Sequence, residues 1–185
     1  MTRNPRQASM TTSRTALRTA SVLALGIALS ACMSTPPPVK PPVDTTTPAQ
    51  RMAAVDASAG KDDKELDVQP LRDAAVEDLR VAARAKRQAN DLAGAAEALD
   101  QALQISEGDP SILQDRAEIA LLQGDWAAAE TLARKSVELG SKTGPLCRRH
   151  WATIEQARLA RGEKENAVSA HAQLEGCTVP GIKRY

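Results

Sequence analysis

Phenylalanine is absent from these 185 residues, and the aromatic share is only 2%: Trp126, Trp151 and Tyr185. A β-sandwich or barrel core leans on aromatic and β-branched residues, so all-β folds are excluded, and the alanine and leucine that replace them favour close helix packing. There are only two histidines and three cysteines. Neither histidine has a nucleophile beside it, and no glycine-rich phosphate loop or Gly-x-Ser-x-Gly occurs, so the chain carries no catalytic constellation and calls for no cofactor. Its many carboxylates are scattered along helical segments, as solvated faces and i,i+4 partners. A chain of this length holds one small domain plus appendages. Charge of one sign is also lacking, since the formal net charge is +1. Four of the 24 basic residues (Arg3, Arg6, Arg14, Arg18) fall in a leader expected to be removed, which leaves 20 against 23 acidic residues and argues against nucleic acid as a partner.

The apolar run from Ser21 to Ala31 has the length of a secretory hydrophobic region and is short for a membrane span. Arginines precede it and no acid does. It ends in Leu29-Ser30-Ala31-Cys32, which resembles the bacterial lipobox, in which small residues admit a peptidase and the cysteine thiol accepts diacylglycerol. The resemblance implies a signal peptide over 1–31, acylation of Cys32 with chains of the palmitate kind, and, because Met33 stands where aspartate signals inner-membrane retention, an outer-membrane lipoprotein with its folded part in the periplasm. An ordinary signal peptide or a retained anchor is the competing reading, and Met10 is a second candidate start. Several acyl chains anchor a protein stably without a transmembrane helix.

Residues 32–69 read as a tether. Ser34–Gln50 contains six of the 11 prolines, which favours an extended spacer; at about 3.1 Å per residue it reaches roughly 50 Å. Arg51–Asp67, polar and weakly patterned around Lys61-Asp62-Asp63-Lys64-Glu65, is expected to be disordered or transiently helical.

Beyond Pro70 the pattern becomes helical and repeats. Asn90-Asp91-Leu92 precedes Ala95 as Gly124-Asp125-Trp126 precedes Ala129, 34 residues later, and Gly162-Glu163-Lys164 precedes Ala167 after a further 38, the extra four fitting Ser141–Pro145. Ala83 and Ala117 take the small position of the first helix of each unit, with Leu79, Leu113 and Trp151 a turn earlier; Ala102 and Ser136 take the later small position of the second helix. These residues resemble the tetratricopeptide repeat, a 34-residue helical hairpin whose helices cross over small side chains. The resemblance covers about Leu71 to Gly176 and implies an all-α fold, a short solenoid of about three hairpins over 70–177 followed by a tail from Thr178 to Tyr185. The third unit departs most: Glu155 holds the small position, and His171, like Leu99 and Ala133, stands where an aromatic is usual. Helix signals agree. Leu92, Ala95, Ala96, Leu99, Ala102 and Leu103 share one face, Asp109 caps a helix opening with Pro110, and Gly108, Gly140 and Gly176 end helices.

An antiparallel third hairpin brings Cys147 and Cys177 to one end, and an oxidising periplasm suggests a disulfide. The alternative is a metal site of Cys147, His150, His171 and Cys177.

The first helices of stacked hairpins line a concave face suited to binding protein. Glu77, Arg80, Arg84, Arg87 and Gln88 are expected there. Arg80, Arg84 and Arg87 make either one basic stripe for an acidic peptide or carboxylate, or a solvated face. The next units offer Ser111, Gln114, Glu118, Leu121 and Leu122, then Gln156 and Leu159; the leucines either form an exposed patch for an amphipathic segment or pack under an adjacent helix. The functional expectation is a lipid-anchored adaptor for envelope proteins. Alternatives are a self-associating structural protein and a periplasmic metal-binding protein.

Overall fold

In the computed structural model, residues 44–60 and 73–178 are described. The leader, Cys32, most of the tether and nearly all of the tail lie outside them. Among the described residues there are seven helices and no strand: α1 Pro48–Ser58, α2 Ala74–Gln88, α3 Leu92–Ile105, α4 Pro110–Gln123, α5 Trp126–Leu139, α6 Gly144–Ala160 and α7 Lys164–Gly176. Helices α2 to α7 form three hairpins, α2/α3, α4/α5 and α6/α7, stacked through α3 on α4 and α5 on α6.

Each hairpin turns on one left-handed residue: Asn90 (φ 59°), Gly124 (φ 78°) or Gly162 (φ 76°). Glycine reaches that conformation without a Cβ penalty, and asparagine tolerates it. The following acid starts the next helix. Asp91 accepts from Gly94 N at 2.9 Å and Asp125 from Ala128 N at 3.1 Å, which satisfies an otherwise unpaired helix-terminal amide. Asp109 caps α4 in the same way, with Pro110 opening the helix.

Small residues let the helices approach. Ala83, Ala95 and Ala102 are buried with Val76, Leu99, Ile112 and Ile119 in the first hairpin and its junction with the second. Ala117, Ala133, Ile154 and Ala170 form the core between the second and third, with Trp151 packed against them. Gly140 allows a close approach between elements: a Cβ there would lie 2.8 Å from Ser136 O and 3.0 Å from Pro110 Cβ.

Helix α1 corrects the expectation that Arg51–Asp67 is disordered or only transiently helical over the part that is described; residues 61–67 lie outside the described residues. Residues 48–58 are an ordered helix, started by Thr47, whose side chain accepts from Gln50 N while the Gln50 side chain accepts from Thr47 N. This reciprocal capping box, with Pro48 at the first helical position, is a local start signal inside a proline-rich segment. Helix α1 packs on α6 and α4, the first helices of the third and second hairpins.

Candidate partner-binding face

Helix α1 lies antiparallel to α6: its first turn meets the C-terminal part of α6 and its last turn meets Arg148 near the start of α6. Met52 (3% exposed) and Val55 (0%) are buried with Ala120 and Leu121 of α4 and Ala152 and Ala157 of α6. Arg51, 3% exposed, donates through Nη1 to the Gln156 carbonyl at 3.2 Å and to Gln156 Oε1 at 3.4 Å, and pairs with Asp44 through Nη2. Its guanidinium sits 5.7 Å from the Trp126 ring centroid, within cation–π range.

At the other end Arg148 donates to Ser58 O at 3.0 Å and to Ala59 O at 2.6 Å. A cation on the last carbonyls satisfies groups the helix leaves open and complements its dipole. Gly60, at φ +80°, follows; a Cβ there would stand 3.1 Å from Arg148 Nη2. Asp56 faces Arg87 of α2 at 3.6 Å and Arg149 of α6 at 4.0 Å.

Beneath α1 runs a buried polar network. Glu118 accepts from Arg149 Nη2 at 2.5 Å, from Gln114 Nε2 at 2.9 Å and from Arg87 Nη1 at 3.4 Å. Burial pushes its carboxyl up, against Arg149 and Gln114, which favour the charged form. Gln114 also donates to Thr153 Oγ1 at 2.9 Å, and its Oε1 lies 2.7 Å from His150 Nδ1. The far ring nitrogen of His150 is 3.2 Å from Ser136 Oγ. Burial, reinforced by the Arg149 and Lys142 cations, pushes this imidazole down to about 3. His150 is therefore a neutral hydrogen-bonding residue that joins α4, α5 and α6.

The expected stripe of Arg80, Arg84 and Arg87 is on this face, but its charges are met within the chain. Arg80 forks onto Asp115 Oδ2 at 2.9 and 2.7 Å. Arg84 pairs with Glu77 at 2.9 Å, and Arg87 with Glu118 and Asp56. All three guanidiniums of the stripe therefore take part in ion pairs. The acids come largely from the next hairpin, 35 residues on for Asp115 and 31 for Glu118. Between these residues lies an open cleft of about 190 Å3, lined by Arg80, Arg84, Arg87, Asp115, Glu118 and Arg149 over an apolar floor of Ala83, Leu99 and Ile119. Gln88 is exposed at its edge of α2.

Of the other expected residues, Leu121 and Gln114 are fully buried, Leu122, Gln156 and Leu159 half-buried, and Ser111 serves its own turn by donating to Asp109 at 2.6 Å. The open Leu121–Leu122–Leu159 patch does not exist: Leu121 lies in the cluster that receives α1, and Leu122 packs against it and the neighbouring cluster. Sequence reasoning missed Arg51, Met52, Val55, Asp56, Arg148 and Arg149. The Thr47–Gln50 capping box was the one local signal for them.

Cys147 and Cys177 are joined in a disulfide, with Cα atoms 5.7 Å apart. That joins both thiols to each other, while His150 bonds Gln114 and His171 bonds Glu155 Oε2 at 3.1 Å. The alternative four-ligand metal site is thereby overturned by the geometry of its own ligands.

The tetratricopeptide-repeat family model matches residues 86–141, from the end of α2 through the second hairpin. The solved structure of the globular C-terminal domain of P. aeruginosa LpoP is 30% identical, with a TM-score of 0.54; the match covers 57% of this chain and 99% of that one. No curated protein matches.

Proposed function

Given that this chain belongs to the tetratricopeptide-repeat family, in company with the C-terminal domain of P. aeruginosa LpoP, we propose that it is a lipid-anchored envelope adaptor whose hairpin array binds a partner protein on its inner face. One observation carries this reading: the inner face already holds a helix, α1, through two buried apolar side chains and polar contacts at both ends. A surface that grips one amphipathic helix has the chemistry for another. The remaining open part offers Arg84 and Gln88 on α2 beside the arginine-lined cleft. Half-buried Leu122 and Gln156 lie on the part that α1 covers or borders, and half-buried Leu159 lies further along α6.

The anchor is the Cys32 thiol, acylated after removal of residues 1–31, and the proline-rich segment spaces the folded part from the outer membrane within the periplasm. Among the described residues no helix is long and apolar enough to cross a membrane. Binding, not catalysis, is the activity: both imidazoles are committed to hydrogen bonds within the fold.

Photo-crosslinkers placed at Arg84 and Gln88, compared with one at Val168 on α7 (71% exposed), test the face in intact envelopes. Discrete adducts from the two inner positions alone are expected. Equal adducts from Val168, or none from Arg84 and Gln88, overturn the assignment of the face, and an adduct of twice the chain's own mass turns the reading to self-association. Cys32→Ala should move the protein from the membrane to the soluble fraction.

A further inference from the structure

Helix α1 and the three hairpins are connected through 15 residues, 59–73, and α1 lies on the opposite side of that connection from the repeats. An isolated helix of 11 residues is marginal in water, so α1 owes its order to the surface on which it lies. That surface contributes few elements: an apolar seat for Met52 and Val55, the Trp126 ring and Gln156 carbonyl for Arg51, and the Arg148 guanidinium for the last carbonyls. Two of the three hairpin cores, Ala83 with Leu99 and Ile119, and Ala117 with Ala133 and Ile154, contain none of its residues; in the third, Met52 and Val55 cover Ala120, Leu121, Ala129, Ala152 and Ala157, which α4, α5 and α6 contribute.

We propose that α1 is a releasable clip: it occupies the α4/α6 groove in cis, and a partner helix carrying an arginine, an adjacent apolar residue and a second apolar residue three positions later displaces it. The required spacing is that of Arg51, Met52 and Val55. The displacing segment ends its helix on Arg148, because that guanidinium is aimed at open carbonyls and any helix C-terminus supplies them.

Release has a second consequence, which rests on the lipid anchor at Cys32 proposed above. With α1 docked, the chain between anchor and folded surface is Cys32 to Thr47, about 50 Å at full polyproline extension; with α1 free it runs to Asp73, about 130 Å by the same rise of roughly 3.1 Å per residue. Occupation of the groove by a partner and extension of the tether are therefore the same event. By linkage each favours the other: a partner helix lengthens the reach, and a stretched tether opens the groove to a partner.

The test uses the full mature chain, made soluble by Cys32→Ser, and a fluorescent peptide of residues 44–60 as probe. In the unaltered chain the tethered helix competes at an effective concentration of the millimolar order, so the peptide binds weakly. Val55→Asp expels the chain's own helix, and at least ten-fold tighter peptide binding is expected, with a few-fold gain for Arg51→Ala. A peptide carrying the same Val55→Asp change should not bind. Spin labels at Ser34 and Thr178 should move apart in the Val55→Asp chain. Equal peptide affinity in both chains overturns the proposal, as does a folded Val55→Asp chain that binds no peptide. Unfolding by Val55→Asp also overturns it, because α1 would then be part of the core. Failure of the envelope crosslinks from Arg84 and Gln88 alongside successful peptide competition would reject the adaptor reading and leave the clip standing; the reverse pattern would do the opposite.

Discussion

In the first two hairpins the helices cross over alanine and start on capping aspartates, whereas the third reaches the same backbone geometry with neither device intact. Its turn is the same left-handed residue, Gly162 at φ 76° beside Gly124 at 78°. Yet Glu163 makes no side-chain cap and pairs instead with Arg161 at 2.7 Å. At the crossing, Glu155 stands where Ala83 and Ala117 stand, and its carboxylate meets His171, which stands where Leu99 does, at 3.1 Å. The two departures from the repeat pattern are thus partners. A disulfide and an arginine cluster complete the substitution: Glu130 of α5 accepts from Arg158 and Arg161, which fasten α6 to the second hairpin. Burial alone would raise the Glu130 carboxyl, but hydrogen bonds from Arg161, Arg134 and Arg158 hold it at about 2. The turn is what the repeats share; how the helices are held beyond it is interchangeable.

If crosslinks and ion pairs stand in for packing, removing them should injure the third hairpin first. Cys147→Ala with Cys177→Ala opens a loop of separation 30, for which chain entropy gives a loss of about 3–4 kcal/mol. Denaturant melts should register that loss, and amide exchange should rise in α6 and α7 before α2 to α5; uniform acceleration would show that the staple serves the whole array. Acid should act at the junction of the second and third hairpins through His150. Its folded value of about 3 lies below the ordinary 6.5, so the unfolded chain takes up a proton that the folded chain refuses. Stability is full above about pH 6.5 and falls as the pH drops towards 3, at about 1.4 kcal/mol per unit at most. His150→Gln should flatten that slope while lowering stability at neutral pH. An unchanged slope would assign the acid sensitivity elsewhere.

What was legible in the sequence follows the same division. The turns at Asn90, Gly124 and Gly162 were readable because a left-handed residue followed by an acid is a local signal, repeated at 34 and then 38 residues. The cysteine pair was readable once the hairpin was. Helix α1 was not, because it has only Met52 and Val55 as an apolar face and its order comes from a surface assembled a hundred residues later. The arginine pairings were hidden for a related reason. Arg80 and Arg87 find Asp115 and Glu118 nearly one repeat further along, so a reading of α2 alone leaves them as a stripe. Laying successive repeats in register would have placed those acids opposite the arginines.

Caps give a smaller contrast. Asp125→Ala removes the acceptor that Ala128 N uses at 3.1 Å and should cost about 1 kcal/mol, as other aspartate N-caps do. Glu163→Ala, at the corresponding position of the third hairpin, removes no backbone cap and should leave helix stability of α7 nearly unchanged, its effect confined to the side-chain contacts with Arg161 and Asn166. Equal losses at the two sites, read from urea midpoints, would mean that Glu163 caps in solution after all.

The smallest expected effect sharpens the comparison most. Glu155→Ala restores the alanine of the other crossings, and His171→Leu restores the leucine of the first hairpin. Singly, Glu155→Ala leaves His171 with Glu175 alone at 3.7 Å and His171→Leu leaves Glu155 without its imidazole partner, on a surface that is half exposed at His171; together they rebuild the pattern of the first hairpin. A double-mutant cycle should return a coupling of a few tenths of a kcal/mol, as for other exposed ion pairs. The coupling must depend on pH. Hydrogen bonding and charge from Glu155 raise the His171 imidazole above its ordinary 6.5, so the pair's contribution is fully present below that value and disappears as the pH rises through the raised one. A cycle at pH 6 should therefore show coupling that a cycle at pH 9 loses. Coupling that persists undiminished at pH 9 would mean that the third hairpin is held at this crossing by packing of the two side chains, and that it differs from the first two hairpins in residue type alone.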